Sequence, residues 1–411
     1  MAETIFDSKD YASLFGWLEY CIFGLVVALS MGIGVFYGFF NKKNVTNEDF
    51  LVGGRSMSVF PVSLSLVCSF VSGVALLGDP VEVYYYGMKY IFFLFSIIPM
   101  TFVVAYLYVP VFCGLKLTSA YQGGLKAVLW SDALQAIIMF GSVVTILFLG
   151  ANEVGGFNVV WERATQGGRT EFWNFDTDPR ARYTFWTGCI GAYFFWLPLF
   201  AGTQGQIQRY LAVPTVKKAQ QSLLFSLIGL VCVQAPSFFL GLVIYAKYQD
   251  CDPISVDAVG SSDQLVPLFV MDVLGDIPGL PGLMVAGLTC GSLSSVSSAL
   301  NAIPAIIVED YVKPNYPNLS DVRLGYLSKL ISGVAGLISF ALIFVIAGIG
   351  SVVPFAALLH GTFLGPTVGI FTLAFFFPFC NSIGSMLGAA VSISLTLFLG
   401  IGSTINSINQ D

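Results

Sequence analysis

Long apolar stretches separated by polar segments dominate the chain. Each stretch holds about 20 residues or more, the length that an α-helix needs to cross ~30 Å of hydrocarbon. The pattern therefore predicts an all-α membrane protein with ten transmembrane helices. Their expected bounds are 15–40, 57–78, 90–113, 126–150, 184–208, 221–246, 280–308, 325–347, 352–377 and 382–402.

The composition agrees with a surface that faces lipid. The 411 residues are 56% hydrophobic and 10% charged, whereas a soluble domain carries about 25% charged residues. Lys and Arg total 18 and do not cluster, which argues against nucleic-acid binding. The sequence contains no metal-ligand cluster, P-loop or hydrolase motif, so we expect neither an enzyme nor a cofactor. The expected partners are the lipid bilayer and a small-molecule solute.

The distribution of basic residues indicates the orientation. If both termini are extracellular, eleven of the eighteen Lys and Arg residues fall in inward loops, Arg209 and Lys217 among them. Short cytoplasmic loops carry an excess of Lys and Arg. The sequence therefore predicts a multi-pass protein of the plasma membrane with both termini outside.

Two of the predicted helices are interrupted by glycine and proline, which loosen the helical hydrogen-bond ladder and free backbone carbonyls. Paired interruptions in two halves of a transporter indicate an inverted repeat with its binding site at mid-membrane. A kinked packing helix is an equally good interpretation of the second span alone. The interrupting residues are Gly73, Gly78 and Pro80 in the second span and Pro198, Gly202 and Gly205 in the fifth.

The seventh span carries a run of small polar residues. Gly291, Ser294 and Ser295 stand at i, i+3 and i+4 and so share one helical face. Two hydroxyls and a carbonyl form half of a site for a small alkali cation. Close helix packing explains the same residues without an ion.

Asp132, in the fourth span, is expected to be the one acidic residue well inside a span. A carboxylate in hydrocarbon costs at least about 2.5–3.5 kcal/mol and usually lines an ion or substrate path. Gln135, at i+3, shares its face. The alternative is an interfacial aspartate that water solvates at the cytoplasmic end. The single histidine, His360, is assigned no role.

Four segments together resemble the sodium–solute symporter family, which includes glucose, iodide, monocarboxylate and multivitamin transporters. The phrase LLGDPVEVYYYG is most similar to the monocarboxylate, multivitamin and iodide branch. The resemblance runs over nearly the whole chain. Its most specific pieces are SLSLVCSFVSGVALLGDPVEVYYYG, GGLKAVLWSDALQ, QGQIQRYLAVPTVKKAQ and GSLSSVSSALNAIPAIIVEDYV.

The resemblance implies a LeuT-type inverted-repeat bundle and Na⁺ as the coupling ion. It maps the principal sodium site onto backbone carbonyls and hydroxyls of two helices. It maps a second, ion-coupling group onto polar side chains and the substrate cavity onto aromatic ones. The implied residues are Cys68, Val71, Gly291, Ser294 and Ser295 for sodium, Asp132, Gln135 and Gln204 for coupling, and Phe70 and Trp196 for the cavity.

The chain departs from the family at one internal position. Relatives run from LTSAY through two further helices before GGLKAV, whereas here Tyr121 is followed at once by Gln122. About sixty residues are therefore expected to be missing, and relatives also continue beyond the last span. The expected organisation is one transmembrane domain, 1–411. It comprises a peripheral helix at 15–40, a truncated first repeat at 57–150, a second repeat at 184–377 and an extra helix at 382–402.

These observations lead to two functional hypotheses. The first is a sodium-coupled symporter that takes up a small organic anion or a vitamin-like solute across the plasma membrane. The alternative is a non-transporting variant of such a symporter, since a cavity that lacks two scaffold helices would not seal. Sodium-dependent uptake distinguishes the two.

Overall fold

The computed structural model describes residues 15–36, 57–115, 125–178, 181–346 and 358–408, and the regular elements within these ranges are all helical. The helices of the first half are α1 Trp17–Val35, α2 Val59–Phe70, α3 Gly73–Tyr86, α4 Ile91–Val103, α5 Val109–Gly114, α6 Leu125–Val154 and α7 Phe157–Gln166. Those of the second half are α8 Ala192–Ala201, α9 Gln204–Leu211, α10 Val216–Tyr248, α11 Leu265–Leu274, α12 Leu280–Ile306, α13 Lys313–Asn315, α14 Asp321–Ile346, α15 Gly365–Phe376 and α16 Ser382–Ile408.

The predicted all-α architecture is confirmed. Seven helices in the described part of the chain are long and apolar enough to cross a membrane, and shorter apolar helices supply the second, fifth and ninth predicted spans. The prediction missed α7 and α11, which are too short to appear in a search for spans. The end of the first predicted span, from residue 37, and the junction of Tyr121 with Gln122 lie outside the described residues.

The second predicted span is two helices, not one. Helix α2 ends at Phe70, Val71 and Ser72 adopt extended backbone with ψ of 93° and 169°, and α3 begins at Gly73. The expected end at residue 78 is wrong, because α3 continues to Tyr86 with Pro80 inside it. A hydropathy pattern stops where charge begins, although the backbone continues as a helix.

This extension buries two further carboxylates. Asp79 and Glu82 lie inside α3 with only 6% and 9% of their surfaces exposed. The expectation that Asp132 would be the one acidic residue well inside a span is therefore wrong.

The fifth predicted span is interrupted in the same way. Helix α8 ends at Ala201, Thr203 is extended with ψ of 131°, and α9 begins at Gln204. The Gly202 amide still donates to the Pro198 carbonyl, 2.8 Å away, so the helical ladder stops one residue later. Both spans are interrupted as expected, but Gly78 and Pro80 lie inside α3, and the break of the second span precedes Gly73.

Helix α10 runs parallel to α2 and α3 and packs along both. A methyl group at Gly229 would lie 2.6 Å from Val67 of α2, and Gly241 lies directly against the Pro80 carbonyl of α3. Small residues let transmembrane backbones approach in this way. The interface between α3 and α10 is thus one of the closest in the bundle.

Two helices of the second half lie at the periphery. The most apolar windows of α14 and α16 contain no buried residue among the positions described. Ser292 of α12 is likewise exposed. The packed core lies among α2, α3, α6, α8, α10 and the first half of α12.

Candidate functional site

The break between α2 and α3 meets α12 at Gly291. A methyl group added at Gly291 would lie 3.2 Å from both the Val71 carbonyl oxygen and the Gly73 nitrogen. A side chain at this position would require the two backbones to move apart by a few tenths of an ångström. The carbonyl of Val71 thus faces α12 at Gly291, which the resemblance assigns to the same sodium site.

Hydroxyl groups of α12 surround the same point. Ser294 is fully buried, and its Oγ lies 3.4 Å from the Oγ of Ser69 on α2. Ser295 Oγ donates to the Gly291 carbonyl at 3.2 Å. Cys68 Sγ donates to the Cys290 carbonyl at 3.9 Å. The structure therefore brings the five residues of the implied sodium site to one contact between α2 and α12.

The chemistry of this contact fits a sodium ion. The last four carbonyls of a helix have no partner within the helix, and the C-terminal end of its dipole is negative. Helix α2 presents that end to α12, whose serine hydroxyls can turn their lone pairs toward a cation. Unwound carbonyls and half-helix C-termini are the groups that hold Na⁺ in transporters of this kind.

Beside this contact lies a fully buried ion pair. Arg209 Nη2 of α9 donates to Asp132 Oδ2 of α6 at 2.9 Å, and each side chain is only 1% exposed. Ser65 of α2 donates to the same Oδ2 at 2.6 Å and accepts from Arg209 Nε at 2.7 Å. Asp132 is therefore an interior carboxylate with a partner, not an interfacial one.

Arg209 also connects the carboxylate to the helix of the proposed ion site. Its Nη2 donates to Ser298 Oγ at 2.6 Å, and Ser298 in turn donates to the Ser294 carbonyl at 2.7 Å. The side chains of Asp132, Arg209 and Ser298 therefore form a chain that ends on the backbone of Ser294.

Arg209 was expected in an inward loop, and this expectation is wrong, because the residue lies buried in α9. A count of basic residues along the sequence contains no information about a partner on another helix. The available signal was the apolar segment YLAV that follows Arg209, together with the carboxylate of Asp132 in need of a counter-charge.

The other two residues expected to couple the ion lie on the same two helices as this pair, α6 and α9. Gln135 Nε2 donates to Ser30 of the peripheral helix α1 at 3.2 Å. Gln204 is the first residue of α9, directly after the break of the fifth span.

Aromatic rings connect the two helix breaks. Phe70, the last residue of α2, stacks on Phe200 of α8 with ring centroids 3.5 Å apart and planes 9° from parallel. Trp196 meets Phe200 edge-on at 6.3 Å. The expected cavity residues Phe70 and Trp196 are thus joined through Phe200, which the sequence analysis did not identify. The Trp196 indole nitrogen is buried without a hydrogen-bond partner among the described residues.

At the far end of α3, Glu82 is held by a polar loop. Arg182 donates to its Oε1 at 2.7 Å and Tyr183 to its Oε2 at 2.6 Å. Burial, followed by the neighbouring Glu82 carboxylate, raises the pKa of Tyr183. The charge of Glu82 is therefore fully compensated.

Comparison with known proteins identifies relatives of this arrangement. A sequence model described as the sodium:solute symporter family matches residues 50–121 and 105–392. Sodium-coupled monocarboxylate transporter 2 of Mus musculus is 36% identical, over 94% of this chain and 72% of the relative. Sodium-coupled monocarboxylate transporter 1 of Homo sapiens is 34% identical over 94% and 74%. The sodium/iodide cotransporter of Homo sapiens is 32% identical over 95% and 71%.

The alignment also bears on the expected internal gap. It runs over 449 positions with the mouse protein but uses 94% of 411 residues, about 386, so about 63 positions have no counterpart in this chain. The family model matches in two pieces, 50–121 and 105–392, which overlap at residues 105–121.

A solved structure shares the fold. The substrate-bound, outward-open state of a Na⁺-coupled sialic acid symporter superposes with a TM-score of 0.79 at 22% identity, covering 93% of this chain and 91% of that one. The LeuT-type bundle expected from the resemblance is confirmed.

Proposed function

This chain belongs to the sodium:solute symporter family, and on that premise we propose that it carries a small organic anion or vitamin-like solute across the plasma membrane together with Na⁺. The observation that carries the proposal is the approach of the Val71 carbonyl to Gly291, beside the buried hydroxyl of Ser294. The names of its relatives, which are monocarboxylate and iodide transporters, favour an anionic solute.

In this proposal sodium binds between α2 and α12. The carbonyls of Cys68, Val71 and Gly291 and the hydroxyls of Ser294 and Ser295 hold the ion. Ser295 releases its bond to the Gly291 carbonyl so that both oxygens face the cation. Bound sodium joins the broken helix to α12 and so fixes the position of Phe70 on the cavity wall.

The aromatic cavity receives the solute. Phe70, Phe200 and Trp196 provide apolar walls that exclude water, and the Trp196 indole N–H is a donor without a partner in the described structure. A carboxylate or halide accepts such a hydrogen bond. The solute is thus bound next to the helix break that sodium closes, which couples the two binding events.

The orientation remains the one expected from the basic residues. With Arg209 removed from the tally, ten of the remaining seventeen Lys and Arg residues still fall in inward loops. We propose that both termini are extracellular.

A second candidate, a non-transporting variant, is favoured by the roughly 63 alignment positions of the mouse relative that have no counterpart in this chain and by the exposed faces of α12 and α14. The test is tracer uptake in oocytes of monocarboxylates, vitamins and iodide, in sodium against choline, normalised to surface-biotinylated protein. The symporter proposal requires saturable uptake in sodium that Ser294→Ala weakens severely. Ser394→Ala, an exposed serine bonded to the Ala390 carbonyl of its own helix, is the matched control. Surface protein without sodium-dependent uptake would establish the second candidate.

A further inference from the structure

The second half of α3 carries two buried carboxyl groups on one face. Asp79 and Glu82 stand at i and i+3, so their side chains are neighbours on the helix. Their exposed fractions are 6% and 9%. Like charges at this spacing repel each other, and burial strengthens the repulsion because little water screens it. Two negative charges at this place would therefore need two compensating groups.

One positive charge is available to the pair in the described structure. Arg182 Nη2 lies 2.7 Å from Glu82 Oε1, and Tyr183 donates to Glu82 Oε2 at 2.6 Å. Both oxygens of Glu82 thus have a donor. Asp79 forms no salt bridge with any described residue. The guanidinium is committed to Glu82, and Asp79 is left without a counter-charge.

The hydrogen bonds of Asp79 are uneven. Tyr90 donates its hydroxyl to Asp79 Oδ1 at 2.9 Å, whereas Asp79 Oδ2 is buried without a hydrogen-bond partner among the described residues. An ionised carboxylate accepts on both oxygens, but a carboxylic acid needs one of them to hold its proton. In a low-dielectric interior, a neutral acid with one unpaired group costs far less than an unpaired charge. The geometry therefore fits an acid whose proton lies on Oδ2.

The elements that pack on α3 bring no second cation to Asp79 within the part of the chain described. They are α10, α11, α12, the turns Gly87–Tyr90 and Ser262–Gln264, and the polar loop of Arg182. Each of their cations has another partner or lies far away. Lys89 pairs with Glu171, Arg169 donates to the Tyr84 carbonyl, and Lys247 lies 3.9 Å from Asp272. Lys217 and Lys218 begin α10, about six turns before its contact with Pro80.

The other titratable side chains of these elements are neutral or acidic. They are Tyr183, Tyr245, Tyr248, Asp252, Asp263, Asp272 and Cys290. None of them supplies a positive charge. A proton is therefore the simplest group that compensates Asp79.

We propose that Asp79 is a proton-binding site and that the anionic solute binds to the protein in which this site is occupied. For the solute, the inference rests on the proposed symport. Tyr90 stacks on Phe93 with ring centroids 5.2 Å apart, and Phe93 lies 5.2 Å from Trp196 of the cavity. Loss of the proton leaves an uncompensated negative charge near the cavity, which repels an anion. The proton comes from water, which reaches this end of α3 at Arg182, whose side chain is 50% exposed.

The first measurement detects the proton itself. Infrared difference spectra of the purified full chain in detergent, recorded between acidic and alkaline pH, report the carbonyl stretch of protonated carboxylic acids. The wild type is expected to show the band of a buried acid at neutral pH, and Asp79→Asn is expected to lack it. Glu82→Gln removes the neighbouring negative charge and frees the guanidinium, so Asp79 is expected to lose its proton at lower pH in this variant.

The matched control is Glu162→Gln, which alters an exposed carboxylate bonded to Gln166 of its own helix, α7. It is expected to keep the band. Absence of the band from the wild type at neutral pH, or the same band in Asp79→Asn, would overturn the proton site.

The second measurement links the proton to the solute. Equilibrium binding of [¹⁴C]lactate, a monocarboxylate, and of radioiodide is measured at saturating sodium over the range in which buried carboxyl groups titrate, about pH 5–9. Asp79 ionises as the pH rises, so the dissociation constant of the wild type and of Glu162→Gln is expected to rise by up to about tenfold per pH unit, the limit for one proton. Asp79→Asn stays neutral and is expected to bind tightly at every pH.

The two measurements separate the two proposals. Wild-type binding that does not change with pH, in a protein that shows the band, would overturn the link between proton and solute. Binding of neither anion at any pH would refute symport of such anions, whereas the infrared spectrum would still decide the proton site.

Discussion

Removal of the Arg209 guanidinium tests whether the buried ion pair holds four helices together. Arg209→Met keeps an apolar stem and leaves Asp132, which is 1% exposed, with Ser65 as its donor in the described structure. Loss of one partner of a buried pair costs about 3–5 kcal/mol, because the other charge stays buried without compensation. We expect the free energy of unfolding to fall by that amount.

The double variant Arg209→Met/Asp132→Leu separates this cost from lost packing. Replacement of both charges by apolar groups of similar volume is often neutral or stabilising. The double variant is therefore expected to be more stable than Arg209→Met, with a coupling energy of about 2–3 kcal/mol. The assay is unfolding of purified protein by sodium dodecyl sulfate in mixed micelles, followed by circular dichroism.

Lys313→Met provides the matched control. Lys313 lies 2.6 Å from Glu309, an even shorter separation, but the two side chains are 32% and 21% exposed. Pairs that water reaches contribute about 0.2–1 kcal/mol. Two results would show that the buried pair does not stabilise the fold as proposed. In the first, Arg209→Met lowers the free energy of unfolding by no more than Lys313→Met. In the second, the effects of Arg209→Met and Asp132→Leu on the free energy of unfolding are additive in the double variant.

Two further predictions concern the sodium site and the orientation. Gly291→Ala places a methyl 3.2 Å from the Val71 carbonyl oxygen. Overpacking of this kind costs about 1–3 kcal/mol. If this cost falls on the sodium-bound state, half-saturation with ²²Na⁺ should need about 5- to 140-fold more sodium. The added methyl of Gly141→Ala meets no atom within 4 Å, so this variant should bind sodium as the wild type does. Equal sodium-binding isotherms for Gly291→Ala and Gly141→Ala would remove Gly291 from the site. Lys217→Cys, in a background without reactive native thiols, should resist an impermeant thiol reagent on intact cells, whereas Ser255→Cys should react. Rapid labelling at 217 would reverse the proposed orientation.

Hydropathy predicted where the helices are, because a span needs some twenty apolar residues whatever its neighbours do. Glycine and proline also indicated which two spans are broken, although the second span breaks before Gly73 and not at Gly78 or Pro80. The meeting of Val71 with Gly291 followed from the resemblance to a family, not from spacing. Local pattern contains no information on which faces of distant helices pack.

The errors concern charged residues. Arg209 was assigned to a loop and Asp79 fell beyond a predicted helix end, since a hydropathy scale gives a charge the same cost whether or not it is paired. Asp132 and Arg209 are 77 residues apart in the sequence and 2.9 Å apart in space. The pairing of these two opposite charges depends on the tertiary structure. The same holds for Phe200, whose role depends on a ring from the other broken helix.

The pairing of Asp132 with Arg209 has an electrical consequence. A membrane potential does about 2.3 kcal/mol of work on each elementary charge moved through 100 mV, but a pair of opposite charges that moves as a unit carries no net charge. When the helices rearrange, voltage therefore exerts almost no force on this centre. Bound sodium and the solute carry net charge, so the electrical driving force acts on them and not on this pair.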